Sequence, residues 1–230
     1  MTYPRLMAIL GAAALVGTLV LNPELAVADD DLKEPETQYG VGIRLRQVIL
    51  PRSIIELFVE YAPGGGQNNG IGIELIRQRG NMTFAFGAEY DKLHGTEGIY
   101  IDKGDTIPQD PVDYVRFDDF HWLAFDVNFL WQTNLIGEIL SLRYGAGLGI
   151  GVLRGQILQS DYLCPGTQPD DTCFEDPNGV QNAPADLPPV FPVINAIVGL
   201  QVRPIKSVAI TVEGGLRTAP FFGSTVAVMF

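Results

Sequence analysis

Phe222-Gly223-Ser224-Thr225-Val226-Ala227-Val228-Met229-Phe230 alternates from its first residue to its last. Phe222, Ser224, Val226, Val228 and Phe230 fall on one side. Gly223, Thr225, Ala227 and Met229 fall on the other, small or adaptable throughout. A period of two is that of a β-strand, whose successive side chains point to opposite faces. Neither face carries a charge, and the two faces are unlike, so the strand separates two environments.

Working outward, the same alternation recurs along most of the chain. Strands are predicted at Gln38–Leu50, Asn69–Arg79, Met82–Asp91, His121–Gln132, Glu138–Arg154, Phe191–Arg203, Lys206–Arg217 and Phe222–Phe230. Most are close to the ~9–11 residues of a tilted membrane-spanning strand. Gly80-Asn81, Thr133–Gly137 and Pro204-Ile205 make short connections. Residues 51–68, 92–120 and 155–190 make long ones, and 218–221 a short one. Short turns on one side and long loops on the other are the pattern of a barrel whose termini share the short-turn side, which requires an even strand count. Residues 52–61 challenge that count. They read as a strand, or as a helix with Arg52, Ser53, Glu56 and Glu60 opposite Ile54, Leu57, Phe58 and Tyr61. Parity favours a short amphipathic helix between Pro51 and Pro63-Gly64-Gly65-Gly66.

The strands have one apolar row each. Tyr39, Val41, Ile43, Leu45 and Ile49 form the first. Met82, Phe84, Phe86, Ala88 and Tyr90 follow on the third strand, and Leu123, Phe125, Val127, Phe129 and Trp131 on the fourth. Leu148, Ile150, Ile194, Val198, Val208, Ile210 and Val212 continue the pattern, and no charge interrupts it. A soluble barrel would turn these rows inward. Their bulk exceeds what an eight-stranded interior holds. The glycine stripe Gly145, Gly147, Gly149 and Gly151 suits relief for large neighbours in a narrow lumen. Tyr39, Trp131 and Phe230 mark one interface, Tyr90 and Phe222 the other. The apolar rows therefore face lipid.

The opposite rows carry charge. With strands registered from their short-turn ends, Arg44, Arg46, Glu74, Glu89, Asp126, Arg143 and Glu213 gather near mid-height, with Arg217 higher, and the inward charges balance. Buried charges persist when paired and hydrogen-bonded, and the arginine fork suits bridging several carboxylates. Asp126 with Arg143, and Arg44 with Glu74, are the expected pairs. An ion path or catalytic site is one reading of this cluster. A polar plug filling a small barrel is the favoured one.

Upstream, Arg5, the uncharged run Leu6–Leu21, the break at Asn22-Pro23 and Ala26-Val27-Ala28 predict a signal peptide over residues 1–28, cleaved near Ala28. Residues 29–37 then form an acidic tether, and 38–230 the barrel domain. A formal net charge of −12 argues against nucleic acid as a partner. Cys164 and Cys173, close together in an exported chain, are expected to form a disulfide. No catalytic, cofactor or metal motif is found. Gly145–Gly151 lies in a β pattern without the helix or lysine of a phosphate loop. His121 at the outer end of a strand has no serine nearby in sequence. The loop aspartates lack the spacing of a calcium loop and read as a hydrated repulsive surface.

The architecture and the terminal strand resemble small OmpA/OmpX-like outer-membrane barrels over about residues 38–230. The resemblance implies an all-β fold: a closed, antiparallel, eight-stranded up-and-down transmembrane β-barrel with long extracellular loops. It implies residence in the cell outer membrane, contact with lipid and lipopolysaccharide, and insertion by dedicated machinery that reads Phe230. The expected role is non-enzymatic, structural or surface-interacting (adhesion-like), with an extracellular partner met through loops 92–120 and 155–190. A narrow channel or small-ligand transporter is the alternative.

Overall fold

The computed structural model describes residues 36–169 and 172–230. The predicted signal peptide and nearly all of the acidic tether lie outside the described residues. In chain order the elements are β1 (Thr37–Leu50), α1 (Arg52–Ile55), β2 (Val59–Tyr61), β3 (Gly66–Arg79), β4 (Met82–Gly95), β5 (Gly98–Asp102) and β6 (Val112–Ile136). There follow β7 (Leu140–Leu163), β8 (Phe174–Glu175), β9 (Ala183–Pro184), β10 (Val190–Ile205), β11 (Val208–Arg217) and β12 (Ala219–Met229).

Eight of these strands pair antiparallel in a ring. β1 pairs with β3, β3 with β4, β4 with β6, β6 with β7, β7 with β10, β10 with β11 and β11 with β12. β12 returns to β1, with Gly40 opposite Met229 and Val48 opposite Phe221. The ring leaves no open edge, so every ladder group inside the belt has a partner, as lipid demands. The short-turn ends lie where expected for β3–β4, with Gly80 at φ 57° in a two-residue turn. The β10–β11 turn falls at Lys206-Ser207 rather than at Pro204-Ile205. A register shift between Val202 and Ile205 accommodates Pro204, which has no N–H to give the ladder.

Residues 52–61 are neither of the alternatives in full. A single helical turn spans Arg52–Ile55, and Leu57 is among the most exposed apolar side chains instead of packing inward. Val59–Tyr61 then turns extended and pairs with β5 outside the ring. The barrel count stays at eight.

The spans 92–120 and 155–190 are not simply loops. β4 runs on to Gly95, and β6 and β7 continue for 25 and 24 residues. β6 and β7 pair from Val112 opposite Tyr162 down to Asp118 opposite Gln156, then slip before His121 opposite Arg154. At the slip Asp119 has φ 44° and Gly155 φ 82°, and a Cβ on Gly155 would lie 2.1 Å from the Asp119 carbonyl oxygen. This bulge re-aims the two strands. Above it β5 and β2 add to the β6 side, β8 and β9 to the β7 side, widening the hairpin into an outer sheet continuous with the barrel. It has its own small core of Ile101, Val112 and Cys164, flanked by Tyr61, Ile99, Ile107, Tyr162 and Cys173. Cys164 and Cys173 are joined by a disulfide there.

Candidate functional site

The faces sort as the period of two requires. Tyr39, Val41, Ile43, Leu45, Phe84, Phe86, Phe125, Phe129, Trp131, Leu148, Ile150, Val198, Ile210, Val226, Val228 and Phe230 all point out of the barrel and are exposed. Arg44, Arg46, Glu74, Glu89, Asp126, Arg143, Glu213 and Arg217 all point in and are buried. A water-soluble protein does the reverse. The apolar belt is continuous around a closed ring, so the solvent of the outer face is lipid.

The chain is a small outer-membrane-type β-barrel. Among solved structures it is similar to Neisserial surface protein A, at 10% identity and a TM-score of 0.47, over 85% of this chain and 99% of that one. It is also similar to Ail, the attachment invasion locus protein of Yersinia pestis, solved with the heparin analogue sucrose octasulfate. There the identity is 11% and the TM-score 0.39, over 85% of this chain and 99% of that one. The translocator domain of the autotransporter NalP from Neisseria meningitidis matches at 10% identity and a TM-score of 0.32, over 88% and 90%. No protein-family model and no curated protein sequence matches the chain.

Inside, β1 supplies two arginines to the middle of the lumen. Arg44 forks onto Asp126 of β6, with Nη2 donating to Oδ2 at 3.0 Å and Nη1 to Oδ1 at 3.3 Å. Its Nε lies 2.6 Å from Glu89 Oε2, and its Nη1 donates to Glu74 at 3.4 Å. Arg46 donates to Glu213 at 2.8 Å and to Glu89 at 3.4 Å. Arg217 donates to Asp126 at 3.0 Å and to Glu89 at 3.4 Å. Three guanidiniums thus converge on one oxygen of Glu89. Charge-assisted bonds of this kind are short and directional, which holds the side chains in place.

The expected Asp126–Arg143 pair does not form. Along the β6–β7 ladder Asp126 lies opposite Gly149, whereas Arg143 lies opposite Gln132. Adjacent strands do not imply adjacent rungs. Arg143 instead donates to Thr211 at 3.0 Å, and Gln201 joins it there at 3.3 Å. Asn128 donates to Asp126 at 2.6 Å and accepts from Asn195 at 2.8 Å, extending the network to β10.

The glycines make room for this network. Gly87 lies between Glu74 and Asp126 along the rungs. A Cβ there would sit 2.5 Å from Arg44 Nη2 and 2.8 Å from Asp126 Oδ1. Gly149, beside Asp126, plays the same part for that carboxylate's own Cβ.

Sequence reasoning overlooked two lumen residues, Asp91 and Phe221, and placed Trp122 on the inward row of its strand without a partner. Asp91 is fully buried, and its Oδ2 accepts from the Trp122 indole N–H. Phe221 lies under the Arg46 guanidinium at 4.5 Å, and Trp122 lies 5.9 Å from that of Arg217. Asp91 stood at the predicted end of its strand, where an aspartate reads as a loop residue. β4 continues past it, and parity then puts it on the same inward row as Glu89. With Asp91 counted, the inward charges do not balance: five buried carboxylates face four buried guanidiniums.

At the short-turn end the lumen widens into a vestibule of about 480 Å³, lined by Gln38, Gln78, Gln132, Asn134, Ser141 and Arg203. Arg203 is braced by Gln38 at 3.2 Å and by Gln78. His121 packs on Tyr90, and its Nδ1 donates to the Asp119 carbonyl oxygen at 2.7 Å.

Proposed function

We propose that this chain resides in a bacterial outer membrane as a plugged barrel and acts through the surface it presents outside the lipid. The role is structural or surface-interacting, of an adhesion-like kind. It is non-enzymatic, and the partner meets the regions 92–120 and 155–190. The observation that carries this reading is the length of β6 and β7, 25 and 24 residues. Crossing the bilayer needs only about 9–11. The excess is built into a cored, disulfide-closed sheet at the end away from the short turns. A chain whose purpose was only to span would need no such platform.

The lumen supports the same reading from the other side. Eight strands enclose a space that side chains can fill, and here ion pairs, amides and two aromatics fill it. In a planar bilayer the folded protein is expected to show no steady large conductance, and a stable wide pore would overturn the plug. Replacing residues 156–189 by a short turn should leave a folded barrel that no longer attaches to host cells or matrix. Retained attachment by that variant would place the interaction elsewhere.

The vestibule is the one feature that favours the alternative, a narrow channel or small-ligand transporter. It opens on the short-turn side and runs up to Ser141, below Arg143 and Thr211. Single-channel recording separates the two readings, since a transporter with a moving plug would give brief openings.

A further inference from the structure

Three buried carboxylate oxygens of the lumen have no hydrogen-bond partner, Glu74 Oε1, Glu89 Oε1 and Asp91 Oδ1, and the last two face each other's neighbourhood. Glu89 Oε2 accepts from Arg46 and Arg217 and is ion-paired with Arg44, while its Oε1 has no hydrogen-bond partner. Asp91 Oδ2 receives Trp122, while its Oδ1 likewise has none. Both partnerless oxygens face one spot. They lie within 3.1 Å and 2.2 Å, respectively, of the point where a Cβ on Gly70 would sit. Gly70 stands between Arg46 and Asp91 along the rungs. It leaves that spot free of side chain.

Two carboxylates that share a dry site do not both ionise. The choice between them follows from their partners. Glu89 is ion-paired with three guanidiniums. No ion pair within 4.0 Å reaches Asp91 among the described residues. The charged groups around the pair are Arg44 and Arg46 on β1, Glu74 on β3, Asp126 on β6, and Glu213 and Arg217 on β11. Every one of those guanidiniums already serves another carboxylate.

We propose that the Glu89–Asp91 pair is a proton-binding site, with the proton resident on Asp91 Oδ1 and donated to Glu89 Oε1. This single proton does three things. It gives both orphaned oxygens a partner, it cancels the surplus charge, and it makes the lumen neutral with four carboxylates against four guanidiniums. A metal cation is the competing occupant. Hard cations gather about six to eight oxygens, and no group of three or more acidic, histidine or cysteine side chains suited to a metal exists among the described residues.

The test is infrared spectroscopy of the folded protein in an ester-free detergent at about pH 8, where an ordinary aspartate is ionised. A carbonyl stretch of a protonated carboxylic acid is expected, shifting in D2O and shifting again when aspartate alone is labelled with carbon-13. Asp91→Asn should fold, because its amide donates to Glu89 as the acid does, and should lose the band completely. Asp113→Asn, in the outer sheet, should keep it. The labelled wild-type protein carries the test even if Asp91→Asn fails to fold. Absence of the band, its persistence in Asp91→Asn, or its response to a glutamate label instead would overturn the proposal. So would an absent band accompanied by stability that rises with sodium or calcium concentration.

Discussion

Arg44 and Asp126 grip each other through a two-point fork across the lumen, although β3 and β4 stand between their strands in the ring. A bond that spans the barrel ties together rungs that the ladder itself does not connect. Asp126→Ala leaves Arg44 and Arg217 each short of a carboxylate in a buried site. Breaking a buried pair by removing one partner costs about 3–5 kcal/mol. The lower end is expected, since Arg44 keeps Glu89 and Glu74. Urea unfolding of the refolded barrel in micelles measures the loss. A variant within about 0.5 kcal/mol of wild type would mean that the fork contributes little.

Gly87 tests the packing side of the same cluster. Its missing Cβ is what lets the Arg44 guanidinium lie flat against β4. Gly87→Ala inserts a methyl 2.5 Å from Nη2 and forces the fork apart. Overpacking of this kind costs about 1–3 kcal/mol, and the same unfolding assay reads it. Gly137, in a turn with nothing within 4 Å of its Cβ position, is the contrasting site. Alanine there meets a φ of 51° but no neighbour, so its cost is backbone strain alone.

The barrel was legible in the sequence because its signal is periodic and long. Rows such as Val41, Ile43, Leu45 and Leu123, Phe125, Val127 can be read without knowing any partner strand. What was not legible depended on register. Asp126 and Arg143 sit on neighbouring strands, yet six rungs of ladder decide that they do not meet. Asp91, the last residue of its predicted strand, was left out of the lumen row because strand ends are set by pairing, not by residue type. The outer sheet was hidden for the same reason. Its strands β2, β8 and β9 are two or three residues long and exist only because β5 and β7 offer them an edge.

The disulfide should matter to the outer sheet and not to the barrel. Cys164 is buried against Ile101 and Val112, beyond the belt. Reduction, or the Cys164→Ser/Cys173→Ser pair, frees a short loop whose closure is worth about 3 kcal/mol in the chain-entropy account. Proteolytic cleavage within residues 160–190 should then accelerate roughly tenfold or more. The heat-dependent gel shift of the folded barrel should stay unchanged. Equal cleavage rates with and without reductant would show that the small core holds the sheet unaided.

Asp113 makes the outer sheet sensitive to pH. It lies on β6 well beyond Leu123, the outermost belt residue of that strand, directly opposite Asp161. Burial, with Asp102, Asp161 and Asp105 close by, pushes its carboxyl up from 3.8 to about 6. The folded sheet therefore binds a proton that the unfolded chain has released over this range. The stability tied to that proton is complete below 3.8 and is lost as pH rises through about 6. Amide exchange in 112–118 and 156–162, corrected for intrinsic rates, should show weaker protection at neutral pH than at about pH 5. Asp113→Asn should remove the difference and raise protection at neutral pH. A pH dependence unchanged in that variant would assign it to another group.

Tyr39 and Phe230 close the ring at its short-turn end. The Tyr39 N–H donates to the Phe230 carbonyl at 2.9 Å, and the Phe230 N–H donates to the Tyr39 carbonyl at 2.8 Å. Both rings point outward at the edge of the belt, and Phe230 is 74% exposed. An exposed aromatic there is positioned to meet the lipid interface. Removing Phe230 deletes one complete hydrogen-bonded pair, worth about 1–3 kcal/mol, and the anchor with it. Phe230→Ala keeps the backbone pair and deletes only the ring. If the ring is the insertion signal, both variants should insert several-fold more slowly into liposomes containing the machinery. The alanine variant, once inserted, should unfold in urea like wild type. If Phe230→Ala inserts at the normal rate and only the deletion is slow, the role of this residue is to close the ladder.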